Sequence, residues 1–175
     1  MEADAQRIEA GRSTTDWDVV FAEVNAWRGA CLHHFSAVEM AVTETLLSLS
    51  AVSMPAGAVR LRQLIGQRFE DLAAATGPDG IFAGPGKASF ESLSQYRAEQ
   101  ESFRALLCHG AVKVTIDPSG QWTLVIRTLS IRSRQAERGL VVIERPEALA
   151  RLLRLKVEGQ KLASVLGQLR KSVTP

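Results

Sequence analysis

FRALLCHGAVKVTI, residues 103–116, is where the chain changes its period. Up to His109 the apolar residues Phe103 and Leu107 continue a helical spacing, while Ala111-Val112-Lys113-Val114-Thr115-Ile116 alternates as a strand does. His109 and Gly110 sit at the junction. A helical protein with a β element late in the chain follows from this one stretch.

Working back from the junction, the third helix is predicted over about 87–108, with Phe90, Leu93, Tyr96, Phe103 and Leu107 toward the core. Gly84-Pro85-Gly86 reads as a mobile connection before it. A second helix is expected over 56–76, with Val59, Leu61, Leu64, Ile65, Phe69 and Leu72 as its apolar positions. Gly77-Pro78-Asp79-Gly80 ends it, glycine accepting a left-handed cap and proline breaking the ladder. The first helix is long, roughly Asp16 to Ser50, and is closed by Ser53-Met54-Pro55. Its apolar stripe is Trp17, Phe21, Val24, Cys31, Phe35, Val38, Val42, Leu46 and Leu49, with Trp27 beside it. Ser13-Thr14-Thr15-Asp16 supplies capping residues, and residues 1–12 read as a disordered arm.

Working forward, Asp117-Pro118-Ser119-Gly120 is a turn, and Gln121 to Ile131 returns as a second strand. A polar loop with Arg132, Arg134 and Arg138 leads to a third strand over 139–143. Pro146 and Glu147 open a last helix carrying Leu149, Leu152, Leu153, Val157, Leu162, Val165, Leu166 and Leu169. Gly159 and Gly167 on it permit close packing. The expected fold is mainly α: a bundle of about four helices with a β-hairpin or small sheet at about 111–144, residues 13–175 forming one domain.

Composition bounds the class. The 175 residues are 46% hydrophobic and 23% charged, ordinary for a globular chain able to bury a core. Cys31 and Cys108 have no CxxC spacing and read as two buried thiols in a reducing compartment. No run of about 18 uncharged apolar residues is present, and the first residues are acidic, so a cytoplasmic protein without a membrane span is expected. Residues 1–103 hold 8 basic against 14 acidic side chains, and residues 104–175 hold 13 against 5. The basic half either attracts a polyanion or simply solvates its surface.

No phosphate-cradling glycine loop, HExxH pair or Gly-x-Ser-x-Gly elbow occurs, and neither a cofactor nor a metal is expected. Arg104 and His109 are the pair suited to chemistry. They diverge by about 140° on an ideal helix, yet a tightened last turn and a long arginine side chain bring both to one ligand. The guanidinium grips phosphate oxygens as a fork, and the imidazole moves protons to or from ribose oxygens. Alternatively, Arg104 pairs with Glu101 or Glu99 while His109 only caps the helix.

FRALLCHG, ending a helix after an earlier long helix and before a strand, resembles the Arg-x4–6-His motif of the HEPN (higher eukaryotes and prokaryotes nucleotide-binding) domain family. The resemblance covers roughly residues 15–110. It implies a compact helical bundle, a homodimer with a composite cleft, and metal-independent endoribonuclease activity on RNA. Arg104 would bind the scissile phosphate and His109 would be the acid–base residue, leaving a 2′,3′-cyclic phosphate and a 5′-hydroxyl. Family members serve as toxins or defence components, which implies a cognate antitoxin or regulatory protein as partner; others are non-catalytic RNA- or protein-binding modules. Ala105 stands where many active members carry a polar residue after the arginine.

Glu39, beside Val38 on the first helix, is a supporting candidate that holds Arg104 or orients His109; otherwise it is a solvated flank. Glu101 is a second supporting candidate. His33 and His34 read as packing or surface residues before metal ligands. Trp122 either stacks a base or covers the bundle end, and the arginines from Arg127 to Arg138 either track RNA or form a solvated loop.

Overall fold

The computed structural model describes the backbone of residues 2–132 and 134–173, and the side chains of residues 17–131 and 134–173. The elements are α1 (Glu2–Val52), α2 (Ile65–Thr76), α3 (Ala83–His109), β1 (Ala111–Ile116), β2 (Trp122–Arg132), β3 (Gln135–Glu144) and α4 (Arg145–Val173). The protein is mainly helical, with four helices and a three-stranded antiparallel sheet, ordered β1-β2-β3, before the last helix. The arm expected over residues 1–12 differs in the backbone, which is helical from Glu2 rather than from about Asp16; the side chains of residues 1–16 lie outside the described residues.

The chain gathers into two compact units, residues 1–31 with 105–152, and residues 32–104 with 153–175. In the first, the alternation seen in the sequence does the folding. Leu124 pairs with Val114 on one side and Ile143 on the other, so one row of side chains crosses the sheet into the core. Val20, Val24, Trp27 and Cys31 of α1 are buried in the same unit. Trp27 and Trp122 meet at 6.2 Å, and the Trp27 indole N–H donates to Ala148 O at 2.8 Å. Trp122 is 1% exposed, so it is a core residue and offers no face to an RNA base.

In the second unit, Phe35, Val38, Val42, Leu46 and Leu49 of α1 are buried, as are Leu72 of α2, Leu93 and Phe103 of α3, and Leu155, Leu162 and Leu166 of α4. Gly159 lets α4 approach α1, since a Cβ there would lie 3.1 Å from Val38 Cγ2; Gly167 has no such neighbour. The segment Trp17–Val52 has the length and apolarity of a membrane span. Its stripe is nevertheless buried in the protein's own packing, as in a core helix.

Several expectations are corrected. Residues 56–64 are not helical: α2 starts at Ile65, and Leu61 and Leu64 are exposed. Pro55 and Gly57, at φ +83°, hold the chain in turns, and the Arg62 guanidinium straps the segment to Asp71 at 2.7 Å and Glu70 at 3.0 Å. Gly84-Pro85-Gly86 is no loose connection but the first turn of α3, where proline's missing N–H does no harm. Gly77 is extended rather than left-handed, because Pro78 follows it. The polar loop expected before the third strand is shorter than its sequence suggests: Arg132 ends β2, Arg134 lies in a turn, β3 begins at Gln135, and Arg138 pairs with Leu129. Trp17 and Phe21 remain partly exposed and contact each other at 5.7 Å, while Val20 and Trp27 occupy the buried places.

Cys108 is exposed, and only Cys31 is a buried thiol. Burial pushes the Cys31 thiol up to about 12. A thiol-alkylating reagent near neutral pH is therefore expected to label Cys108 alone in the folded protein and both thiols in denaturant, read by intact-mass spectrometry. Labelling of both residues under native conditions would contradict this packing.

Candidate functional site

Phe35 and Phe103 meet edge-on at 6.0 Å and set α1 against α3. One turn further along α1 stands Glu39, and one residue further along α3 stands Arg104. Arg104 Nε donates to Glu39 Oε1 at 2.5 Å, with both side chains partly exposed. Position 39 borders the buried stripe, so its carboxylate emerges at the helix contact rather than on the open face. The guanidinium's terminal nitrogens have no partner among the described residues. Arg104 is thus held through Nε, and its side chain is about one-third exposed at 32%.

The sequence alternatives for Arg104 resolve differently from either version. It does not pair with Glu101 or Glu99. Glu101 pairs with Arg97 at 3.3 Å within α3 and shares with Arg104 only the lining of a small cleft. That cleft is completed by Phe35, Ile65, Gly66, Phe69, Tyr96, Arg97 and Gln100. The Tyr96 hydroxyl is buried without a hydrogen-bond partner among the described residues. Its proton is held more tightly than in water, first by burial, then by the charges of Glu39 and Glu158.

His109 is the last residue of α3 and is exposed. The turn closes behind it, with Gly110 N donating to Leu106 O at 2.9 Å and Arg28 Nη2 to Leu107 O at 3.3 Å. Arg28 therefore satisfies a helix-end carbonyl, the kind of partner the alternative reading of His109 as a cap calls for. The imidazole lines a broad, open cavity of about 500 Å³ together with Arg127, Leu129, Arg138 and Leu140. Pairing of Arg127 with Leu140 and of Leu129 with Arg138 puts the two arginines diagonally on one sheet face. Neither has a carboxylate partner among the described residues.

Of the sequence-predicted residues, Arg104 and Glu39 come together, Glu101 lines the same cleft, and His109 lines a separate cavity. Sequence reasoning missed the grouping of Arg127 and Arg138 with His109. The signal is the alternation of β2, but the matching residues 135–138 carry no apolar alternation of their own. His33 and His34 stack edge-on at 5.6 Å. Burial, then His33 and Lys156, hold the His34 imidazole below its ordinary value. No group of three or more His, Cys, Asp or Glu that could hold a metal ion occurs among the described residues.

Comparison of the chain with protein-family models, with curated proteins and with solved structures finds no match.

Proposed function

We propose that this chain is a HEPN-like, metal-independent endoribonuclease that works in the cytoplasm as a homodimer. The observation that carries the reading is the bond from Arg104 Nε to Glu39, which aims a charged fork while leaving its terminal donors for phosphate. An exposed imidazole at the end of the same helix supplies the titratable group the chemistry needs. In the proposed reaction a ribose 2′-oxygen attacks the adjacent phosphorus and the bond to the 5′-oxygen breaks. One His109 takes the 2′-hydroxyl proton, and the other copy, as imidazolium, protonates the departing 5′-oxygen. Arg104 stabilises the charge that gathers on the phosphoryl oxygens.

The role as a toxin or defence component, with a cognate antitoxin or regulatory partner, rests on the motif resemblance alone. A second reading is a non-catalytic HEPN-like module that binds RNA or protein. It is favoured by the separate cavities of Arg104 and His109 and by Ala105 after the arginine.

The test is purified protein incubated with RNA in the presence of a chelator, with analysis of the product ends. Fragments ending in a 2′,3′-cyclic phosphate and beginning with a 5′-hydroxyl are expected. Intact RNA at high enzyme concentration would overturn the nuclease reading in favour of the binding module.

A further inference from the structure

The sheet face beside His109 carries more charge and more bare hydrocarbon than one exposed imidazole needs. Along β2 the side chains of Leu124 and Ile126 turn into the core, so those of Arg127, Leu129 and Ile131 stand on the opposite face. The register sets Leu140 opposite Arg127 and Arg138 opposite Leu129, with Ala111 of β1 on the other side of Arg127. Arginine and leucine therefore alternate as on a chequerboard, and His109 stands at its margin, two residues before Ala111. This patch lines the open cavity of about 500 Å³, and no acidic side chain lines it among the described residues. Leu129 is 70% exposed and Leu140 63%. Lys113, two residues beyond Ala111 on β1, adds a further exposed cation to the same face.

We infer that this face is a platform for single-stranded RNA, on which Arg127 and Arg138 hold two successive phosphates and bring the strand over His109. Diagonal neighbours on adjacent strands stand about 7–8 Å apart, a spacing that long arginine side chains can match to neighbouring phosphates of one strand. Neither guanidinium has a carboxylate partner among the described residues, so taking up phosphate breaks no ion pair. The two leucines between them decide against a duplex. Paired strands keep their bases stacked inside, whereas a single strand can lay a base or ribose face on hydrocarbon. The inference rests on RNA being the ligand, as in the proposed function, and adds Arg127 and Arg138 as phosphate ligands around the proposed acid–base residue.

The probe is a fluorescein-labelled oligouridine with 2′-O-methyl riboses, which lacks the attacking hydroxyl and stays intact. Its affinity, read by fluorescence anisotropy over a series of salt concentrations, gives the slope of log K against log salt. Each phosphate neutralised on a single strand contributes about 0.7 to that slope. Arg127→Gln and Arg138→Gln are each expected to lower its magnitude by about that amount, and the double variant by about 1.4. Both arginines are exposed and without ion pairs among the described residues, so these variants are expected to fold, which circular dichroism checks. Arg60 is exposed between α1 and α2, and Arg60→Gln is expected to leave the slope unchanged. Leu129→Ser is expected to keep the slope while weakening binding, since it removes apolar contact and no charge.

Absence of binding by the native protein would overturn the inference, as would an unchanged slope in the double variant or an equal loss in Arg60→Gln. Tighter binding of duplex RNA would overturn the choice of a single strand. Equal, arginine-dependent binding of polyglutamate would make the face a dock for acidic proteins instead. Protein that cuts RNA but shows an unchanged slope in the double variant would keep the nuclease reading and lose the platform. Protein that binds through these arginines and leaves ordinary RNA uncut would do the reverse.

Discussion

Replacing His109 with alanine is expected to lower RNA cleavage by about 10²–10⁴-fold while leaving the fold intact, the range typical of losing a positioned acid–base group. The side chain is exposed at the end of α3 and makes no hydrogen bond among the described residues, so truncation removes no core packing. Single-turnover rates would measure the loss, and circular dichroism would show the unchanged helix content. Arg104→Lys is the companion variant. Lysine keeps the charge but lacks both the Nε donor that Glu39 accepts and the planar fork, so a rate far below the native one is expected. Equal cleavage by native and His109→Ala protein would show that the activity comes from elsewhere.

Gly110→Ala is the substitution expected to damage the fold most for its size. A Cβ at this position would stand 2.3 Å from Ile126 Cγ2 and 2.5 Å from Leu106 O, a backbone atom of the helix it has just left. Ile126 is fully buried and cannot swing away. Overpacking of this kind costs about 1–3 kcal/mol, and each kcal/mol lowers Tm by about 2–4 °C in a chain this size. Thermal unfolding followed by circular dichroism would measure the shift. A variant as stable as the parent would mean that the helix end and β2 lie further apart than described. The glycine is needed here for close approach between α3 and the sheet, and the residue before it, His109, is carried to its place by the same contact.

The legibility of the fold varied with the strength of the local pattern. The change of period at Gly110 was enough to place the end of α3 and the start of β1, because 3.6- and 2-residue spacings bury different side chains. The stretch 56–64 was misread because its apolar residues keep a helical spacing, while Pro55 and the Arg62 ties to Asp71 and Glu70 hold it in turns. Residues 135–138 were misread for the opposite reason. They are polar and exposed, and their strand form comes from pairing with β2, a partner that no local pattern reveals. Trp122 shows how a side chain's role depends on its surroundings: the same indole would suit a base, but the register puts it inside against Trp27.

For the site, residue types were legible and groupings were not. An arginine and a histidine near one helix end suit phosphodiester chemistry wherever they stand, and Glu39 was visible as a carboxylate beside a buried stripe. Which acid meets Arg104 depended on how α1 and α3 pack, and the Phe35–Phe103 contact chose Glu39 over the nearer-in-sequence Glu99 and Glu101. The chain alone determined the mainly helical class, the place of the β insertion and the supply of chemically able residues, because these depend on spacing along a single strand of polymer. Tertiary structure alone decided that Arg127 and Arg138 join His109, that Tyr96 and Gly66 join Arg104, and that Cys108 is exposed. Those outcomes depend on contacts between residues far apart in sequence, whose free energy no local window contains.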